Sequence, residues 1–233
     1  MLRELRGRLN GAVPHWADGE SAQTSLAPAE PHWQARVLDE AGIKPGMLAE
    51  AVCGSSATGG SGIAAAGLLL DSIIQGTANL RGYQALVDGG DSFDPSSFST
   101  LRTESTLARL LWVRCHTVAE VIKAADLLLR DGNVPLVMLD LLANPLREFQ
   151  RQPANIWYRL RSLAENSQAL CLVLTPCRSI AAAQIRLELS ISGGLDLLEC
   201  ARPELAERLQ ARVTRQRLQV APQPGSQIAA MAG

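Results

Sequence analysis

Apolar and polar positions take on a regular rhythm from about Val37. From there, short apolar runs alternate with longer segments of helical spacing. Met47 to Cys53, Tyr83 to Val87, Leu110 to Arg114, Pro135 to Leu141 and Ala169 to Leu174 read as strands. Between them, Ile63 to Gln75 is alanine-rich and apolar almost throughout, which predicts a buried helix. A helix is expected from about Pro95 to Leu107. Thr117-Val118-Ala119-Glu120 is a capping box that opens a helix ending near Asp131-Gly132. Ile156 to Glu165 reads as helical, and Ser179 to Gln184 as a short helix. Ile185–Ser190 and Leu195–Cys200 flank Gly193-Gly194 and predict a hairpin.

Strands that are apolar on both faces and alternate with helices imply a parallel sheet covered on each side. The expected fold is therefore three-layer α/β, mainly parallel, with an antiparallel C-terminal edge hairpin. Around residues 37–202, read as the core domain, the pattern is looser. Residues 1–9 predict a short amphipathic helix, and 10–36 a linker rich in proline and glycine. Residues 203–220 read as an arginine-rich helix, and 221–233 as a disordered tail.

Composition narrows the partners. The 233 residues are 47% hydrophobic, enough for a substantial core, and the net charge of −1 gives no overall field to hold nucleic acid. Lys44 and Lys123 are the only lysines, so the positive charge is nearly all arginine. Five cysteines without C-x-x-C spacing point to buried thiols in a reducing compartment. Met1 to Arg6 has no apolar stretch of the signal-peptide kind, and no apolar run reaches the ~18 residues of a membrane span. Cytoplasm is the expected location.

The chemistry centres on Gly54-Ser55-Ser56-Ala57-Thr58-Gly59-Gly60-Ser61. It has the frame G-x-x-x-x-G-K-[ST] of a phosphate-binding P-loop, with Gly60 in place of the lysine. A strand precedes it and a buried helix follows, which suits backbone N–H groups cradling a phosphate. Ser61 retains the hydroxyl that would face Mg²⁺. Asp140, ending an apolar strand, stands where a second metal-facing acid belongs, although a helix cap or a solvated strand end also accounts for it. A charge-assisted phosphate contact is worth about 1.5–3 kcal/mol. Its loss weakens nucleotide binding by about one to two decades, and hydrolysis by more. The expected cofactor state is none, or at most weak ATP and Mg²⁺ binding.

A dinucleotide-binding reading competes. Gly60-Ser61-Gly62-Ile63-Ala64-Ala65 fits G-x-G-x-x-[GA], and Asp88 ends the next strand about where a ribose-binding acid would sit. Against it, neither Tyr83 nor Tyr158 has a lysine four residues on. The histidines, His15, His32 and His116, lack metal-ligand spacing. His116 beside Cys115 gives no nucleophile pair, because neighbours on a strand point to opposite faces.

From Leu38 to Ser190 the order of elements resembles the RecA recombinase core. Gly46-Met47-Leu48-Ala49-Glu50-Ala51-Val52-Cys53-Gly54 is similar to the strand entering its Walker A loop. Ala85 to Pro95 is similar to the segment bearing its catalytic glutamate, and Val137-Met138-Leu139-Asp140 to its Walker B strand. The departures fall on catalysis: Gly60 replaces the lysine, and Gly90 stands at the glutamate with Asp91 beside it. Thr175-Pro176 takes the place of a nucleotide-sensing glutamine. More narrowly, Leu111-Trp112-Val113-Arg114, the run Ala124 to Val137, Asp140-Leu141 and Trp157-Tyr158-Arg159-Leu160-Arg161 resemble the ImuA group, SulA-related accessory proteins of bacterial mutagenic repair.

That resemblance implies a non-enzymatic scaffold in translesion synthesis. Its partners would be an ImuB-type polymerase relative, an error-prone C-family polymerase and RecA, with DNA contact weak or indirect. Gly54, Thr58, Gly59, Gly60, Ser61 and Asp140 would be remnants of a nucleotide site, and Asp88 and Asp91 remnants of its acid. Trp157, Tyr158, Arg159 and Arg161, with Arg208, Arg212 and Arg215, are candidates for partner contact, the first four being of types enriched at binding hot spots; the alternatives are that Trp157 and Leu160 pack inward and that the arginines are solvated. A weak DNA-binding ATPase, a SulA-like cell-division inhibitor and a dehydrogenase are the competing expectations.

Overall fold

The computed structural model describes residues 35–54, 61–76, 83–98, 107–192, 197 and 199–216, all within one compact unit, Pro31–Gly233. The predicted N-terminal helix, most of the linker and the tail lie outside the described residues.

Seven strands form a single sheet: β1 (Leu48–Val52), β2 (Gln84–Asp88), β3 (Leu110–Arg114), β4 (Leu136–Asp140), β5 (Leu170–Thr175), β6 (Ile185–Ile191) and β7 (Leu209–Gln216). Their spatial order is β3-β2-β4-β5-β1-β6-β7. The first six run parallel, and β7 pairs antiparallel with β6. The helices are α1 (Arg36–Glu40), α2 (Ser61–Gly76), α3 (Val118–Asp131), α4 (Leu146–Arg151), α5 (Ala154–Ser167) and α6 (Arg202–Glu207), with a 3₁₀ turn at Pro95–Phe98.

Period-two alternation along the strands divides the core into two layers. Ala49, Ala51, Leu86, Met138 and Leu172 pack with α1 and α2 on one face. Leu48, Val87, Leu139 and Val173 pack with α3 and α5 on the other. The capping box at Thr117 forms as predicted: its hydroxyl accepts from the Glu120 N–H at 3.3 Å. Glu120 in turn accepts from the His116 N–H at 2.9 Å, and Gly132 closes the helix in the left-handed conformation.

The antiparallel edge is present, but its second strand is not the predicted one. Residues 197, 199 and 200 lie in turns, and β6 takes Leu209–Gln216 as its partner. The predicted arginine-rich helix is therefore corrected as well, since only Arg202–Glu207 is helical. Helix-favouring residues suggested a longer helix, but Leu209 is buried against the α2 layer, and ladder pairing overrides propensity. The predicted short helix at Ser179–Gln184 is a turn. Of the expected helix to Leu107, Pro95–Phe98 forms the 3₁₀ turn and 99–106 lie outside the described residues. Helices α1 and α4 were not anticipated, and the predicted linker therefore ends one residue earlier, before Arg36.

The strand order decides against the dinucleotide reading. That fold places its first strand between the second and fourth, in the order 3-2-1-4-5-6. Here β1 lies between β5 and β6. Among the described residues no helix is long and apolar enough to cross a membrane.

Candidate functional site

In an open parallel sheet, ligands gather beyond the carboxyl ends of the strands. Gly54, Asp88, Asp140 and Thr175 all sit at or just past such ends. Ser55 to Gly60, and with them Thr58, Gly59 and Gly60, lie outside the described residues. The two ends of the loop are nonetheless fixed. A Cβ on Gly62 would fall 1.5 Å from the Cys53 carbonyl oxygen, and one on Gly54 2.0 Å from that of Pro176. The chain thus leaves β1 and returns against its own exit point to start α2, where the helix backbone begins at Ser61. Only glycine permits that approach.

Asp140 ends β4 on the α2 face and is 8% exposed. It lines a cleft of about 330 Å³ together with Ile63, Ala66 and Leu70 of α2, Phe93, and Arg202. Among the described residues, its carboxylate accepts only from the Leu142 N–H, at 3.1 Å. Burial pushes its carboxyl up to about 6, opposed by that hydrogen bond and helped by the nearby Asp88 charge. The structure therefore brings together the loop's return helix and the strand-end acid, as the sequence suggested.

The other acids have different roles. Asp88 is fully buried and accepts from three backbone N–H groups of the following loop: Gly90 at 3.2 Å, Ser92 at 3.1 Å and Phe93 at 2.8 Å. It is the organiser of that loop. Asp91, in the left-handed region at φ 52°, forms a two-pronged ion pair with Arg114 of β3. That pair holds its carboxyl below the usual range. Arg114 lies over the Trp112 ring at 5.2 Å, and Trp112 meets Phe93 edge-on at 5.4 Å. Gly90, where the resemblance would place a glutamate, is closed to side chains: a Cβ there would stand 2.3 Å from the Ala143 Cβ.

A second polar cluster went unrecognised in the sequence. Glu50, inside β1, is fully buried on the α5 face. It accepts from the Thr175 hydroxyl at 3.1 Å, the Ser179 N–H at 2.7 Å and the Ile180 N–H at 3.0 Å, and it pairs with Arg186. Arg186 also donates to the Ile180 carbonyl at 3.0 Å. Thr175 thus points away from the cleft and into this clamp. The clamp fixes the β5–β6 turn against which Gly54 packs. A glutamate in an otherwise apolar strand was the one available signal.

The partner-contact candidates separate. Trp157 is 3% exposed and belongs to the core beneath α5, so it offers no contact surface. Its place on the helix's inward stripe with Leu160 and Ala164 explains why. Tyr158 is 45% exposed. Arg159 pairs with Asp126 of α3 at 2.7 Å, and Arg161 with Glu165 at 2.8 Å. Arg208 lies in the α6–β7 turn, while Arg212 and Arg215 are on β7. Arg212 pairs with Glu188, which Arg178 also engages. The single basic helical face expected of Arg208, Arg212 and Arg215 does not form.

All five cysteines are free, and burial pushes the Cys53 thiol up. No group of three His, Cys, Asp or Glu side chains suited to a metal occurs among the described residues. Compared with known proteins, the chain matches no family model and no curated sequence.

Proposed function

We propose that the chain is a RecA-like accessory protein of damage-induced mutagenesis that works by protein contact and does not hydrolyse nucleotide. The closed acid position carries this reading. Gly90 abuts Ala143, and Asp88 is committed to its own loop. With no side chain at Gly90 to orient water, and Gly60 in place of the phosphate-binding lysine, the two positions that carry phosphoryl transfer in the fold it resembles are both glycine. The strand order, the return loop and Asp140 support a nucleotide-binding ancestry of the RecA type.

The resemblance supplies the partners: an ImuB-type polymerase relative, a C-family error-prone polymerase and RecA. A tagged full-length chain recovered from DNA-damaged cells should bring these down. Recovery of a tubulin-like protein in their place would favour a cell-division inhibitor and overturn the proposal.

One observation favours a second reading, residual nucleotide binding. Asp140 lines an open cleft beside α2 and its carboxylate, among the described residues, accepts only from the Leu142 N–H. Calorimetry with ATP and Mg²⁺ should then give a dissociation constant no tighter than roughly 100 μM. A sub-micromolar value would contradict the loss of the phosphate cation.

A further inference from the structure

The buried stripe of α3 consists of Val118, Val121, Ile122, Ala125 and Leu129. Leu127 falls off that stripe and is 69% exposed, the most exposed large apolar side chain among the described residues. It borders a groove of about 410 Å³ between α3 and α5, with Ile122, Ile156 and Leu160 making the remaining apolar wall. Such a volume lies within the ~300–1,000 Å³ of ligand pockets. Tyr158 stands exposed on the same helix as Arg159.

The polar groups of the groove are of one predominant sign. Lys123, Asp126 and Arg159 line it. Asp126 is shared between Arg159 at 2.7 Å and Arg130 at 3.0 Å. One carboxylate thus holds two guanidinium groups, and the exposed Lys123 adds a further positive charge to the lining. An apolar trough with excess positive charge matches an amphipathic helix whose apolar face is flanked by carboxylates. A nucleic-acid backbone would match the charge but leave the aliphatic wall exposed to water.

We infer that the α3–α5 groove is a docking site for an acidic amphipathic helical segment of a partner protein, with Leu127 as its apolar contact and Lys123 and Arg159 as its charge contacts. This rests on the reading of the chain as a contact protein. The segment lays leucine-like anchors against Leu127 and Ile156, and its carboxylates toward Lys123 and the guanidinium of Arg159.

The test titrates the full-length chain into a fluorescein-labelled synthetic helical peptide, with leucines at i, i+4 and i+7 and glutamates at the flanking positions. A control peptide carries lysines in place of the glutamates. Anisotropy should show saturable binding of the acidic peptide and at least roughly tenfold weaker binding of the basic one. Leu127→Glu and, separately, Lys123→Glu should each weaken the acidic peptide roughly tenfold while leaving the thermal midpoint unchanged, since both side chains are exposed. Equal binding of the two peptides, no binding of the acidic one, indifference to both substitutions, or displacement by a single-stranded oligonucleotide would each overturn the inference. Phosphate release from ATP, measured on the same preparation, reports on the non-hydrolytic reading independently. A failed groove leaves that result untouched.

Discussion

Glu50 and Asp140 are both buried carboxylates in one sheet, on opposite faces, and they serve opposite purposes. On the α5 face, Glu50 has a hydroxyl, two backbone N–H groups and a guanidinium around it. On the α2 face, the Asp140 carboxylate accepts, among the described residues, only from the Leu142 N–H, and a cleft lies in front of it. A satisfied buried charge holds structure together. A poorly satisfied one costs stability and is characteristic of a site where something binds, or once bound. The contrast separates a carboxylate built into the fold from one that faces a cleft.

The largest way to break the contrast is Glu50→Ala. It leaves the Arg186 guanidinium and the Ser179 and Ile180 N–H groups without their acceptor. Urea unfolding should register a loss of about 3–5 kcal/mol. A loss below about 1 kcal/mol would mean the clamp is ornamental.

Asp140→Asn should act in the opposite direction. The folded carboxyl titrates at about 6, above its ordinary 3.8. Between those values the native state binds the extra proton, so stability falls as pH rises from about 4 through about 6. Asparagine keeps the acceptor for Leu142 and abolishes that slope. Above pH 7 the variant should be more stable by about 2–3 kcal/mol, read from unfolding curves across pH.

Gly90→Glu sharpens the same comparison from the loop side. The new side chain must displace Ala143, at a cost of about 1–3 kcal/mol, and it should restore no phosphate release. Adding Ala143→Gly should recover most of the lost stability. The smallest effect belongs to the surface: Asp126→Ala should cost under about 1 kcal/mol, because its arginine partners are exposed.

Strands and most helices were legible because their burial writes a period into the chain. Runs buried on both faces became the inner strands β1, β2, β4 and β5, and the Thr117–Glu120 box fixed the start of α3. The C-terminal edge was not legible: residues 209–216 continue the helix-favouring composition of α6, and only the exposed edge of β6, a tertiary fact, turns them into a strand. Asp140 was readable from its place after an apolar run. Glu50 was not, since its partners Ser179, Ile180 and Arg186 are distant in sequence. The closure of Gly90 by Ala143 depends equally on a long-range approach. Trp157 illustrates a residue type suggesting a surface when its helical phase placed it inside.

Steady-state release of inorganic phosphate from ATP and Mg²⁺, by the wild-type chain and by Asp140→Ala, tests the central claim most directly. The account predicts that neither protein exceeds the protein-free blank. A linear release by the wild type that disappears in Asp140→Ala would contradict it.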